Sequence, residues 1–123
     1  MRLTKDFNRS EFDCNDGSVM PKEVLLNIQK LANQLQVLRD CLGVSITVNS
    51  AYRSPSYNKK IGGVSNSQHI LGKAADITAE GYTPAQVNAR IEELIKSGDM
   101  LQGGLGSYST FTHYDIRKTR ARW

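Results

Sequence analysis

Ser67-Gln68-His69-Ile70-Leu71-Gly72-Lys73-Ala74-Ala75-Asp76 is the stretch from which the fold can be worked outward. It carries one of only two histidines and, seven residues on, an aspartate set among small apolar residues. The other histidine stands far downstream, in Phe111-Thr112-His113-Tyr114-Asp115-Ile116-Arg117. Two imidazoles and a carboxylate, from His69, Asp76 and His113, are the donors of a three-ligand zinc site. Such a site keeps a fourth position for water, as catalytic zinc does. Residue types alone leave a plainer explanation standing, because a histidine near a glycine also serves as a hydrogen-bonded loop residue.

The residues around both histidines read as strands. Ala74 to Ala79 would place Ala75, Ile77 and Ala79 on one side and Ala74, Asp76 and Thr78 on the other. Small alanines beside Asp76 let neighbouring backbone come close. Before this strand, Gly62 to Ser67 is a polar loop that borders the site. In the downstream strand, period two puts Phe111, His113, Asp115 and Arg117 on one face, and Tyr114 and Ile116 on the other. A histidine and an aspartate two apart on a strand can both aim at one point.

The string Ser-x-His-x-x-Gly-x-Ala-x-Asp, followed late in the chain by His-x-Asp-x-Arg, resembles the zinc D-Ala-D-Ala metallopeptidase family. The resemblance runs from about residue 7 to the C-terminus, where Arg122-Trp123 is similar to the closing pair of some relatives. It is greatest for the small, single-domain branch of cell-wall carboxypeptidases and phage or prophage lysins. The resemblance implies zinc on His69, Asp76 and His113. It implies as substrate the D-amino-acid-containing peptide of peptidoglycan, cut by a D,D-carboxypeptidase or a cross-link endopeptidase. A metal-bound water acidified to a pKa of about 7 would be the attacking group.

Arg53, in Tyr52-Arg53-Ser54, follows a strand and precedes a capped turn. From there it could clamp a carboxylate through two parallel hydrogen bonds, or be an ordinary surface arginine. The resemblance implies the first role, holding the substrate's terminal region. Ser67 is a candidate to bind substrate or to shape its own loop. Some relatives carry an acidic residue three positions before the second zinc histidine, and some a histidine two before it. Those positions here are Thr110 and Phe111. Asp115 is then the nearest carboxylate, either as general base or as the partner that orients His113 or Arg117. The absent acid keeps a second function in view, a non-catalytic zinc-containing cell-wall-binding domain on the same fold. The signalling domain of hedgehog proteins is similar in holding zinc without a clear peptidase role.

The remaining chain supplies a frame. Residues 1–20 read as an irregular arm with acidic Asp6, Glu11, Asp13 and Asp16. A helix is expected from Pro21 to Cys41, with Val24, Ile28, Leu31, Leu35 and Leu38 on one face, ended by Gly43. Val44 to Asn49 alternates as a half-buried strand. Ser54 and Pro55 cap a short helix ended at Gly62-Gly63, and Thr83-Pro84 opens another with Val87, Ile91, Leu94 and Ile95 on its apolar face. Gly103-Gly104-Leu105-Gly106 lacks the lysine and hydroxyl residue of a phosphate loop and reads as a tight turn into a strand. This order predicts one α+β domain over residues 1–123, with helices packed on one side of a small, mostly antiparallel sheet. The resemblance implies the same hedgehog/DD-peptidase-like fold.

Composition narrows the function classes. At 123 residues and 39% hydrophobic content, with no long apolar run, no membrane span is expected. Met1 to Asp6 lacks the apolar core of a secretory signal. The expectation is synthesis in the cytoplasm and action on the cell wall after release, or in the periplasm. The net charge of +4, with Arg117, Lys118, Arg120 and Arg122 crowded together, suits any polyanion. No basic ladder interleaved with aromatics points to nucleic acid. Cys14 and Cys41 are read as free thiols, Cys41 as a small buried apolar residue, with a disulfide open if the protein works outside the cell. No feature asks for more than a monomer.

Overall fold

The computed structural model describes residues 1–123. Helix α1 spans Lys22–Leu42, strand β1 Ile46–Ser50, helix α2 Pro55–Lys60, strand β2 Ala74–Ala79 and helix α3 Pro84–Lys96. Strands β3 (Gly104–Ser107), β4 (Thr112–Asp115) and β5 (Ala121–Arg122) complete it. The strands form one sheet in the order β1-β2-β4-β3-β5. All neighbours are antiparallel except β3 and β5, which run parallel. The fold is α+β, as the order of elements predicts.

Helix α1 forms because its leucines recur at helical spacing. Val24, Ile28, Leu31, Leu35 and Leu38 are all buried. Each fully buried aliphatic side chain contributes roughly 1.5–3 kcal/mol against exposure. The helix begins at Lys22, one residue later than the sequence suggests, because Pro21 keeps an extended ψ of 155° and stands at the cap. Gly43, with φ of 70°, turns the chain out and donates its N–H to Arg39 O. Thr83 and Gln86 close a reciprocal capping box at the start of α3, which fixes where that helix leaves β2.

The two sheet faces differ in chemistry. Ala75, Ile77 and Ala79 of β2 and Tyr114 of β4 belong to the apolar core, together with Val87 and Ile91 of α3 and the buried stripe of α1. Strand alternation sends Asp76, His113 and Asp115 to the other face. Register puts Asp76 directly opposite His113 across the β2–β4 pair.

Two expectations are corrected. The first twenty residues are not simply irregular: Arg9–Phe12 is a 3-10 turn with an Asn8/Glu11 capping box, anchored by buried Phe7, Phe12 and Cys14. Cys41 is exposed, because Leu38 and Leu42 take the core-facing positions of that turn. The glycine run 103–106 leads into a strand as its pattern suggests, with Gly104 and Gly106 inside β3. Cys14 and Cys41 are both free.

Candidate metal centre

Each histidine is fixed by a partner on the side away from the site. His69 ends a chain of turns in which Ser67 Oγ accepts from its backbone N–H at 3.1 Å. Its Nδ1 lies 2.7 Å from Ala51 O. A carbonyl only accepts, so Nδ1 carries the hydrogen and Nε2 is left with its lone pair. Gly72, at φ of 73°, lets this loop lie against α1, where a Cβ would come 2.6 Å from Val24 Cγ1.

His113 is set in the same manner from β4. Its Nε2 lies 2.7 Å from Asp115 Oδ2. Asp115 Oδ1 accepts from Gly104 N at 2.8 Å and from Arg117 Nε at 2.9 Å, while Arg117 Nη2 donates to Oδ2 at 2.8 Å. A carboxylate so placed accepts, so His113 donates from Nε2 and presents Nδ1 to the site. Gly104 has to be glycine here, because a Cβ would collide with the Asp115 carboxylate.

The two free nitrogens converge on one oxygen. Asp76 Oδ1 is 3.0 Å from His113 Nδ1 and 3.3 Å from His69 Nε2. One donor atom from each of the three residues lies within 4.8 Å of the others, and all three residues are buried. With both imidazoles neutral, three lone pairs face one another with no hydrogen between them. A cation resolves that conflict, and nitrogen, nitrogen and oxygen donors with an open side suit zinc.

Without an ion a proton does the same work. Burial opposes the charged form of His113, but Asp115 and Asp76 outweigh it and raise its pKa above the ordinary 6.5. Burial likewise pushes Asp76 up, yet His113 and His69 hold it well below the usual carboxylate range. Asp115 is also held low, because His113, Arg117 and two backbone N–H groups outweigh its burial.

Arg53 follows β1 at the edge of the same site. Its Nε reaches Ser50 Oγ, its Nη1 Asn58 Oδ1 and its Nη2 Asp76 Oδ2, each at 3.3 Å. A guanidinium has five N–H groups, so one remains on each terminal nitrogen. Asn58, almost fully buried, also donates from Nδ2 to Val64 O at 2.8 Å and so ties Arg53 to the 62–67 loop.

Arg53 and the converging His69, Asp76 and His113 share one open cleft of about 530 Å³ with Gln68, Tyr108, Phe111, Arg117 and Trp123. The cleft thus unites Arg53, Ser67, His69, Asp76 and His113. Asp115 lies behind His113, with no surface of its own exposed. Asp76 is the only acidic residue in the cleft wall, and Thr110 is exposed outside it. Sequence reasoning missed Asn58, Tyr108 and the placement of Trp123. The available signal was the glycine alternation at 104 and 106, which marks places where side chains from elsewhere press onto β3.

Comparison with known proteins agrees with this geometry. Residues 2–115 match the family model described as Peptidase M15. A stretch of 75 residues, 60% of this chain, is 37% identical to the zinc D-Ala-D-Ala carboxypeptidase of Streptomyces albus G. The chain spans about 29% of that relative's length. The family match covers most of the chain and contains the two histidines, both aspartates and the arginine after β1, and the chain belongs to the Peptidase M15 family.

Proposed function

We propose that the protein is a zinc-dependent peptidase that hydrolyses D-amino-acid-containing peptide bonds of peptidoglycan, as a D,D-carboxypeptidase or an endopeptidase. The observation that carries this reading is the convergence of His69 Nε2, His113 Nδ1 and Asp76 Oδ1 in an open cleft, each imidazole locked in the tautomer that leaves its inner nitrogen bare. The name of the Streptomyces relative and the family match support the peptide chemistry.

The roles follow from placement. His69, Asp76 and His113 would hold the metal. When bound, zinc supplies an acidified water and polarises the scissile carbonyl. Arg53 presents two unspent N–H groups, one on each terminal nitrogen, the number a carboxylate takes in a forked pair. It binds the terminal carboxylate of the peptide and orients the bond to be cut. Asp115 serves as the carboxylate that orients His113, since it is buried behind the imidazole and already accepts from five donors. Ser67 shapes the loop that carries His69.

A second reading is a zinc-containing domain that binds the wall without cutting it. One observation favours it: the only acid in the cleft wall, Asp76, is already committed to the metal set. The test is metal analysis with digestion of purified peptidoglycan, with and without a chelator. One zinc per chain and chelator-sensitive release of D-alanine or of cleaved cross-links supports the peptidase and names the bond. Zinc and wall binding without cleavage supports the second reading.

A further inference from the structure

The cleft is asymmetric, and its two ends differ in kind. Asp76 on β2 and His113 on β4 stand at its middle. The sheet order β1-β2-β4-β3-β5 puts Arg53, which follows β1, on one flank. Tyr108, which follows β3, and Trp123, which follows β5, lie on the other, with Phe111, the residue before β4, beside them.

The aromatic flank is built rather than incidental. The Tyr108 and Phe111 rings stack at 4.4 Å and 13°. Trp123 Nε1 donates to Tyr108 Oη at 2.7 Å, and its ring lies 4.9 Å from that of His113. Strand β3 gives up a side chain to seat it, since a Cβ at Gly106 would come 2.6 Å from Trp123 Nε1. Tyr108 is nonetheless 41% exposed and Trp123 48%. Rings immobilised in advance yet open to solvent offer apolar contact area at little further entropic cost. The charged residue that this flank adds to the cleft wall is Arg117, whose Nε and Nη2 are occupied by Asp115.

Resting on the proposed peptidase reading, with the terminal carboxylate at Arg53, the residues before the cut bond must extend across β4 toward these rings. We propose that Tyr108, Phe111 and Trp123 form an acyl-side subsite that takes the apolar face of the residues preceding the scissile bond. A cleft of about 530 Å³ agrees, since that is the scale of a drug-sized ligand and not of two alanines.

Trp123 is the only tryptophan in the chain, so its emission reports on this flank directly. The test uses the zinc-loaded full chain with two probes, an N-acylated tetrapeptide ending in D-Ala-D-Ala and the free D-Ala-D-Ala dipeptide. The tetrapeptide is expected to shift Trp123 emission saturably and the dipeptide to leave it alone. The ratio of kcat/KM for the longer over the shorter peptide should fall about tenfold in Tyr108→Ala, while Tyr108→Phe, which keeps the ring, should retain it. Equal kcat/KM losses on both peptides, or no length dependence in emission, would overturn the subsite. Length-dependent emission without cleavage would instead keep the subsite and remove the peptidase reading. A response only when the peptide carries a sugar would also overturn it, since the occupant would be the saccharide.

Discussion

Asp115 lies two residues beyond His113 on the same strand and reaches back to it, its Oδ2 2.7 Å from Nε2. Because Arg117 and Gly104 hold the carboxylate from behind, this contact sets both the tautomer and the angle of the imidazole. Loss of such an outer partner typically weakens metal binding 10–100-fold. Asp115→Asn is therefore expected to reduce zinc affinity by about that factor, measured by competition with a chromophoric chelator. Unchanged affinity with collapsed turnover would mark Asp115 as the base instead.

On the proposed ligand set, zinc and a proton would compete for His113 Nδ1. Its raised pKa means the ion must displace a proton below that value and meets a free lone pair above it. Zinc affinity should thus climb with pH and level off only above 6.5, with proton release visible by calorimetry in buffers of different ionisation enthalpy.

The ion-free protein should show the opposite trend on its alkaline side. His113 is raised on folding, so its contribution is complete below its unfolded value of about 6.5 and is lost as pH rises through the folded one. Asp76 and Asp115 are lowered, so theirs is present above about 4 and is lost as pH falls toward their folded values. Urea denaturation of the chelated protein should accordingly find greatest stability between roughly pH 4 and 6.5.

Arg53→Lys keeps the charge and loses the fork. A lysine cannot reproduce two parallel hydrogen bonds, so kcat/KM on a peptide with a free terminal carboxylate should fall at least about tenfold. The same peptide with an amidated terminus should lose much less, which assigns the loss to the carboxylate.

Gly104→Ala probes the support behind the histidine. The added methyl must displace the Asp115 carboxylate, so zinc affinity should fall alongside a stability loss of about 1–3 kcal/mol. Gly106→Ala displaces Trp123 instead and should cost comparable stability with a smaller effect on zinc. Parallel thermal melts and chelator titrations of the two variants separate these effects.

The elements with strong periodicity were legible in the sequence. The leucine spacing of α1, the Thr83-Pro84 start of α3 and the alternation through β2 all appear where residue pattern alone puts them. The convergence of His69, Asp76 and His113 was legible because two histidines leave few ways to assemble such a cluster, and the motif supplied the aspartate. Tyr108 and Asn58 were not, since their roles depend on partners distant in sequence or buried by a turn. Pattern reads which face a residue takes, and these residues matter for what arrives opposite that face. The glycines of β3 show the same limit, for an absent side chain is explained only by Asp115 and Trp123 occupying its space.

The register of β2 against β4 has a consequence for folding. Asp76 and His113 are 37 residues apart and meet only when the two strands pair in their native alignment. A slip of one residue would bring Thr112 or Tyr114 opposite Asp76 and turn His113 toward the core. An ion bridging the pair would therefore discriminate between alignments, favouring the native one by mass action and leaving slipped pairings without that gain. Metal supply during synthesis would then act as a proofreading step for strand alignment as well as a source of chemistry.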